Sequence, residues 1–511
     1  MKHEKPSDLI AASHVDVLII GAGISGIGMA VHLKEKCPDR TFAILERRSD
    51  IGGTWNLFQY PGIRSDSDMH TLGFEFEPWR EQKAIADGPS ILSYLKRIKD
   101  ERGLNDYIRL GHKVLSASWS SSEARWTIAA EVEGPGENGP RVQHLTCSYL
   151  FMGTGYYDYD QGYDPEFAGR ESFGGQIIHP QFWPKNFDYA GKRVVVIGSG
   201  ATAVTIVPSM TDKAKHVTML QRTPTWYWSR PAKDWLANSL RAIMPDEWAY
   251  RLIRFKNVRM QQIAFRRARE NPKKVGDYLL KRIRKIMGSK MHEPDFQPPY
   301  GPWEQRLCLV PDGDMFKAIR DGKADIVTDH IDRFTPTGIQ LKSGRHLDAD
   351  VIVTATGLKL AMAGKVDFSV DGQPLDFTQH FYYKGCMFSD VPNMAIVFGY
   401  LNASWTLKVD IVADFVCRQL NHMAATGSEI AVPVLGSDGP VNEEQIFDFS
   451  SGYVQRALNI LPKQGNRMPW RLNQDYLFDR KVLREEAVDD GVLAFRKAEA
   501  DVEAPTAIAA E

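Results

Sequence analysis

The sequence predicts an α/β protein built from two dinucleotide-binding domains, one nested in the other, with a helical insertion in the second. Three observations carry this expectation. Two buried-strand runs each feed a glycine-rich turn, at residues 21–26 and 198–203. An acidic residue stands at the expected distance after the first turn, and an arginine stands in its place after the second. The stretch 226–302 then changes to helical periodicity with an excess of Lys and Arg. Strand, glycine turn and helix in that order make both domains Rossmann-like.

Composition sets the outer bounds. A chain of 511 residues with 43% hydrophobic residues can bury two or three cores. A net charge of −1 gives no bias toward nucleic acid. The five cysteines, Cys37, Cys147, Cys308, Cys386 and Cys417, are scattered and form no C-x-x-C pair or zinc-type cluster. That spacing predicts a reducing, cytoplasmic setting, no metal site, and no flavin disulfide reductase with neighbouring thiols. Met1–Pro6 has no apolar stretch behind its charges, so no secretory signal is expected, and no apolar run is long enough to span a bilayer. Nothing in the pattern specifies an oligomeric state. Residues 1–13 and the Ala/Glu-rich end from about Lys497 are expected to be frayed.

In chain order, Val15–Ile20 reads as a buried parallel strand. It runs into Gly21-Ala22-Gly23-Ile24-Ser25-Gly26 and a helix through about Lys36. The glycines allow a tight turn and let a pyrophosphate approach the free N–H groups at the helix start. The next strand, Thr41–Leu45, ends at Glu46, which is placed for a ribose diol. A turn-rich loop follows, with Gly52-Gly53-Thr54-Trp55 and Tyr60-Pro61-Gly62-Ile63-Arg64-Ser65-Asp66, and then a strand-like run, Lys113–Ala117. Tyr149–Gly155 is a strand-to-glycine exit.

The second domain opens with Arg193–Ile197 and the turn Gly198-Ser199-Gly200-Ala201-Thr202-Ala203. Its next strand, His216–Leu220, ends in Gln221-Arg222-Thr223. The ribose-binding acid is missing there, and Arg222 can pair bidentately with a 2′-phosphate, so NADPH is expected over NADH. Within the insertion, Leu279, Leu280, Ile283, Ile286 and Met287 alternate with Lys281, Arg282, Arg284 and Lys285. This basic amphipathic helix has two readings: a packed helical subdomain, or peripheral membrane contact through the basic 246–290 region.

Between the two turns lies Phe173-Gly174-Gly175-Gln176-Ile177-Ile178-His179-Pro180-Gln181-Phe182-Trp183-Pro184, a poor helix and a poor strand. Its spacing, F-x-G-x-x-x-H-x-x-x-W-P, resembles the fingerprint of Baeyer–Villiger monooxygenases. The pattern G-G-x-W-x-x-x-x-Y-P-G-x-x-x-D over residues 52–66 resembles a second segment of that family. The resemblance implies FAD in the first domain, with Gly21, Gly23, Ser25, Gly26 and Glu46 on its nucleotide end. Gly53, Thr54, Trp55, Arg64 and Asp66 would then lie along its ring, and the Val114 backbone beside its adenine. It implies NADPH on Gly198, Ser199, Gly200, Ala201, Thr202, Arg222 and Thr223. The domains would be 1–152 completed by 388–511 for FAD, 153–225 completed by 303–387 for NADPH, and the insertion 226–302.

Arg306, in Pro302-Trp303-Glu304-Gln305-Arg306, matches the family's catalytic arginine. In the family, O2 is trapped on the reduced flavin as a C4a-peroxide, which attacks a ketone. The fixed cation stabilises that species and the oxyanion that follows, with Asp66 expected to hold the guanidinium by a hydrogen bond. His179 belongs to a motif that links domain movements and is not expected to transfer protons. Gln305 stands where the better-known members that oxidise cyclic ketones usually carry a lysine that helps grip NADPH. Residues 303–314 and Asn402-Ala403-Ser404-Trp405 resemble the ethionamide-activating subgroup, whose members oxygenate open-chain ketones and thioether or thioamide sulfur. The alternatives are a flavin-containing monooxygenase restricted to N and S oxidation, which Trp183-Pro184 and Arg306 oppose, and a flavin- and NADPH-binding redox sensor at a membrane surface.

Overall fold

The computed structural model describes residues 13–133, 139–447 and 449–498. The frayed ends expected from the sequence fall almost wholly outside these. β1 (His14–Ile20), helix α1 (Ile24–Lys36) and β2 (Phe42–Leu45) begin a nine-stranded sheet. β3 (His112–Ser120), β4 (Arg125–Val132) and β5 (Arg141–Met152) follow as an antiparallel meander, and β5 returns parallel to β1. β6 (Gln176–Ile178), β7 (Arg193–Ile197), helix α2 (Ala201–Met210) and β8 (His216–Gln221) begin a second sheet. Helices α3 (Trp235–Ile243), α4 (Asp246–Glu270) and α5 (Pro272–Met287) come next. β9 (Ala324–Thr328) and β10 (Val351–Thr354) complete a five-stranded parallel sheet in the order β9-β8-β7-β10-β6. The chain rejoins the first sheet through β11 (Asp367–Val370) and β12 (Met394–Ile396), then forms helix α6 (Trp405–Thr426).

The central strands are apolar throughout because both of their faces are buried. β1 sends Val17 and Ile19 into one core and Leu18 and Ile20 into another. β7 divides Val194 and Val196 from Val195 and Ile197 in the same way.

Two expectations need correction. The return to the first sheet was expected at 388, but β11 already pairs with β3 from Asp367. Residues 366–370 alternate apolar and polar like an edge strand, a pattern too short to separate from its surroundings by sequence. The 173–184 connector also contains a strand. Gln176–Ile178 pairs with Val351–Val353 at the sheet edge, where two prolines just beyond cost no ladder bonds.

The insertion packs firmly. Leu279, Leu280, Ile283 and Met287 of α5 lie in the second domain's core, so the stripe read from the sequence is a packing face. α4 seats a buried polar seam on the first domain. Tyr250 donates its hydroxyl to the Phe74 carbonyl (2.8 Å), Arg254 donates to the Gly73 carbonyl (2.8 Å), and the Asn257 amide donates to Asp68 (2.8 Å). No helix among the described residues is long and apolar enough to cross a membrane.

Candidate active site

A cavity of about 1040 Å3 opens at the C-terminal ends of the parallel strands of both sheets, where ligands of open α/β sheets bind. Its wall takes Gly23 and Ser25 from the first turn and Gly53, Thr54, Trp55, Arg64 and Asp66 from the following loop. The second turn supplies Gly198, Ser199, Gly200, Ala201 and Thr202, and Arg222, Thr223, Gln305 and Arg306 line the same cavity.

Each turn is shaped by what a side chain would strike. Gly21 has φ +99°, and a Cβ there would lie 2.9 Å from the Gly153 carbonyl oxygen. At Gly26 a Cβ would lie 1.9 Å from the Gly21 oxygen, so the helix can approach the strand only without one. Gly21 and Gly26 therefore form the turn from behind. In the second turn Gly198 has φ +135°, and a Cβ there would lie 2.3 Å from the Ala355 oxygen. Gly200 differs, because a Cβ there would meet no atom of the described residues within 4 Å. Among the described residues, no side chain caps the first turn of α1 or α2. Their unpaired N–H groups and the open space beside Gly200 fit phosphates of bound dinucleotides.

Glu46 and Val114 lie outside the cavity wall. The Glu46 carboxylate accepts from the Ala22 N–H (2.8 Å) and the Arg48 N–H (3.0 Å). Burial raises its pKa against the pull of those two bonds. Arg64 forms an ion pair with Asp314, joining the first domain's loop to the second domain, and its Nη2 is buried without a hydrogen-bond partner among the described residues. Of the connector residues, Phe173 packs in the core with Val195 and Ile197 on one face of the second sheet, and Trp183 packs against the core on the other face. His179 fills the space beside Gly162, where a Cβ would lie 2.0 Å from its ring, and its Nδ1 accepts the Gln181 N–H (3.2 Å).

Arg306 is half-buried, with Asp66 of the 52–66 motif and three tyrosines outside any motif around it. Burial pulls its pKa down, but Tyr156, Tyr453, Asp66 and Tyr157 outweigh that and leave it well above the ordinary value. Asp66 thus acts on Arg306 through space; the expected hydrogen bond between them does not form among the described residues. Phenols are uncharged at neutral pH, and burial pushes those of Tyr157 and Tyr453 up further, so the Asp66 carboxylate is the anion of this group. Tyr156 and Tyr157 share a hydroxyl contact of 2.9 Å, and Tyr156 stacks on Trp405 with ring centroids 5.2 Å apart. Trp405 in turn donates its indole N–H to the Ser25 hydroxyl (2.8 Å). Sequence reasoning missed Tyr156, Tyr157, Tyr453 and Lys342, all of which belong to the site or its wall. Tyr156-Tyr157 directly follows the Gly153-Thr154-Gly155 exit, a signal that was available. Tyr453 and Lys342 reach the site only through tertiary folding.

The signature of pyridine nucleotide-disulphide oxidoreductases matches residues 18–263. The five cysteines are free and buried. The chain is 50% identical over 484 residues to a probable FAD-binding monooxygenase AlmA of Acinetobacter sp, covering 94% of this chain and 96% of that one. It is 51% identical over 493 residues to the FAD-containing monooxygenase EthA of Mycobacterium tuberculosis (strain ATCC 25618 / H37Rv), covering 96% and 99%. Its fold is similar to an oxidized steroid monooxygenase bound to NADP, with a TM-score of 0.75 at 20% identity over 95% of this chain and 100% of that one. It is also similar to an ε-caprolactone-bound cyclohexanone monooxygenase, with a TM-score of 0.70 at 18% identity over 94% and 100%. With two glycine turns on one cavity and half its residues shared with AlmA and EthA along almost their full length, the chain belongs to the FAD-containing monooxygenases and has the Baeyer–Villiger fold.

Proposed function

We propose that the protein is an NADPH- and O2-dependent Baeyer–Villiger monooxygenase acting on open-chain ketones. One oxygen atom of O2 enters between the carbonyl carbon and a neighbouring carbon, giving an ester. The other leaves as water, with two electrons from NADPH and one proton from solvent balancing the reaction. Oxidation of thioether sulfur is the expected second activity. Arg306 carries the reading: a permanent cation, half-buried, on the wall of a cavity that both phosphate turns share.

Bound FAD would supply the chemistry that no side chain offers, accepting hydride and activating O2. The first turns of α1 and α2 bind phosphates through free N–H groups. Arg222 and Thr223 stand ready for the 2′-phosphate of NADPH, with Lys342 on the same wall. Arg306 stabilises negative charge developing on the substrate carbonyl oxygen without giving up its own proton. Tyr156, Tyr157 and Trp405 line the cavity, suiting an apolar substrate and limiting water.

The test is turnover of an open-chain ketone by the holoenzyme, scoring ester formed against NADPH consumed. The wild type should form ester in step with NADPH. Arg306→Ala should still oxidise NADPH but release hydrogen peroxide, with ester formation down about a hundredfold or more. Undiminished ester formation by the variant, or none by the wild type, sinks the reading.

A further inference from the structure

The stripe of α5 is buried, but the outer face of α3–α4 is not. Trp248, Leu252, Phe255 and Ile263 recur on one side of α4 and are all exposed, Trp248 by 64% and Phe255 by 61%. The spacing i, i+4, i+7, i+15 keeps them within one stripe of the helix. Trp235 of α3 is exposed by 73%. Large aromatics outside a core mark an interaction surface when they cluster, and α4 already satisfies its inner face on the first domain.

Charge says what covers them. Arg251, Arg259 and Arg266 are exposed on the same stripe, and the acids of α4 are confined to Asp246 and Glu247 at its start and Glu270 at its end. The Arg251 guanidinium lies 5.8 Å from the Trp248 ring centroid and that of Arg259 lies 5.4 Å from Phe255. Apolar rings interleaved with arginines match a bilayer interface, where rings enter the headgroup region and guanidiniums meet lipid phosphates. A second copy fits worse, since a two-fold pairing of this stripe would set arginine against arginine.

We propose that the outer face of α3–α4 docks on an anionic lipid bilayer, peripherally and reversibly. The face is distinct from the catalytic cavity, but its helix ties to the segment that carries Asp66: Asn257 and Gln261 hold Asp68, two residues on. A lipophilic ketone held in the bilayer would thus be close to the site.

The experiment is flotation of the FAD-loaded enzyme with vesicles of phosphatidylcholine alone and of phosphatidylcholine with phosphatidylglycerol. The paired variants are Trp248→Ser with Phe255→Ser, and Arg251→Glu with Arg259→Glu. Flavin content and NADPH oxidation with a water-soluble ketone check that each variant is folded. The expected result is salt-sensitive flotation with the anionic vesicles, weakened about tenfold or more in both variants. Absence of flotation, equal flotation with both vesicle types, or flotation unchanged in the variants overturns the proposal. So does a dimer, without vesicle binding, that the Trp248→Ser and Phe255→Ser pair dissolves, because the face would then join two copies.

Discussion

Trp303 meets Phe265 edge-on, ring centroids 5.6 Å apart and planes at 71°, and this pair joins the loop carrying Arg306 to helix α4 of the insertion. Trp303 has φ +69°, a conformation that bulky residues rarely adopt. Such a backbone persists only where its surroundings hold it, and Phe265 is one of those supports. Phe265→Ala should cost about 1 kcal/mol of stability through the lost aromatic pair. More tellingly, it should lower the ester formed per NADPH and raise peroxide release, because Arg306 lies three residues further on. Both are read from one turnover assay with peroxide detection. A variant that is less stable but equally coupled would show that the pair serves folding only.

The two glycines of the second turn separate folding from binding. Gly198→Ala must place a Cβ 2.3 Å from the Ala355 oxygen at φ +135°, so it should destabilise the second domain strongly. Gly200 has φ −77°, and its Cβ would meet nothing within 4 Å. Gly200→Ala should therefore keep the wild-type melting temperature within a degree or two, a rough bound for a strain-free surface change, while NADPH binding weakens sharply. Wild-type KM for NADPH in Gly200→Ala would mean that no phosphate approaches that turn.

Asp350 gives a pH dependence with a definite sign. Its carboxylate accepts from the Arg193 N–H (2.7 Å) and from Arg193 Nη2 (2.8 Å). The bond to the Arg193 side chain, then that to its N–H, hold the pKa down to about 2 from 3.8. A depressed folded-state pKa adds stability that is fully present above the unfolded value and is lost as pH falls through the folded one. The contribution of this half-exposed pair is thus constant above about pH 4 and fades toward about pH 2, and it is modest because water screens it. Asp350→Asn should lower the denaturant midpoint at pH 6, and the gap from wild type should close in that acid window. A gap that stays constant down to about pH 2 would assign the loss to something other than the carboxylate charge.

The parallel cores and both turns were legible because they are local: a run of Val and Ile followed by glycines is specified by neighbours in sequence. The same holds for Arg222, marked by its place after β8. What stayed hidden was non-local. Tyr453 reaches Arg306 from the C-terminal segment, and Trp405 reaches Ser25 from the start of α6. The Asp66–Arg306 hydrogen bond was expected from residue types alone, without the tyrosines that share the guanidinium's surroundings. For α4 the sequence registered the basic excess but assigned the amphipathic face to α5. Burial tells the two helices apart, and periodicity cannot.

Lys342 is the sharpest instance, and the argument for it runs through the backbone. Arg222 follows Gln221, whose carbonyl accepts the Asp329 N–H (3.0 Å); the carbonyl of the next residue, His330, accepts the Lys342 N–H (2.9 Å). Two hydrogen-bonded steps thus bring Lys342 to the wall that Arg222 lines. Neither side chain has an ion-pair partner among the described residues. The neighbouring Asp329 carboxylate is occupied by the His330 N–H (2.7 Å) and by Ser343. Gln305 on the same wall is uncharged, so Lys342 is the residue expected to act as second cation for a 2′-phosphate. Arg222→Ala should raise KM for NADPH about tenfold to a hundredfold, as loss of a charge-assisted contact does. Lys342→Ala should raise it less, about threefold to tenfold, because its head is in water. KM for NADH, which lacks that phosphate, should barely change in either. If Lys342→Ala leaves the preference for NADPH over NADH intact, the second cation lies elsewhere and Arg222 reads the phosphate alone.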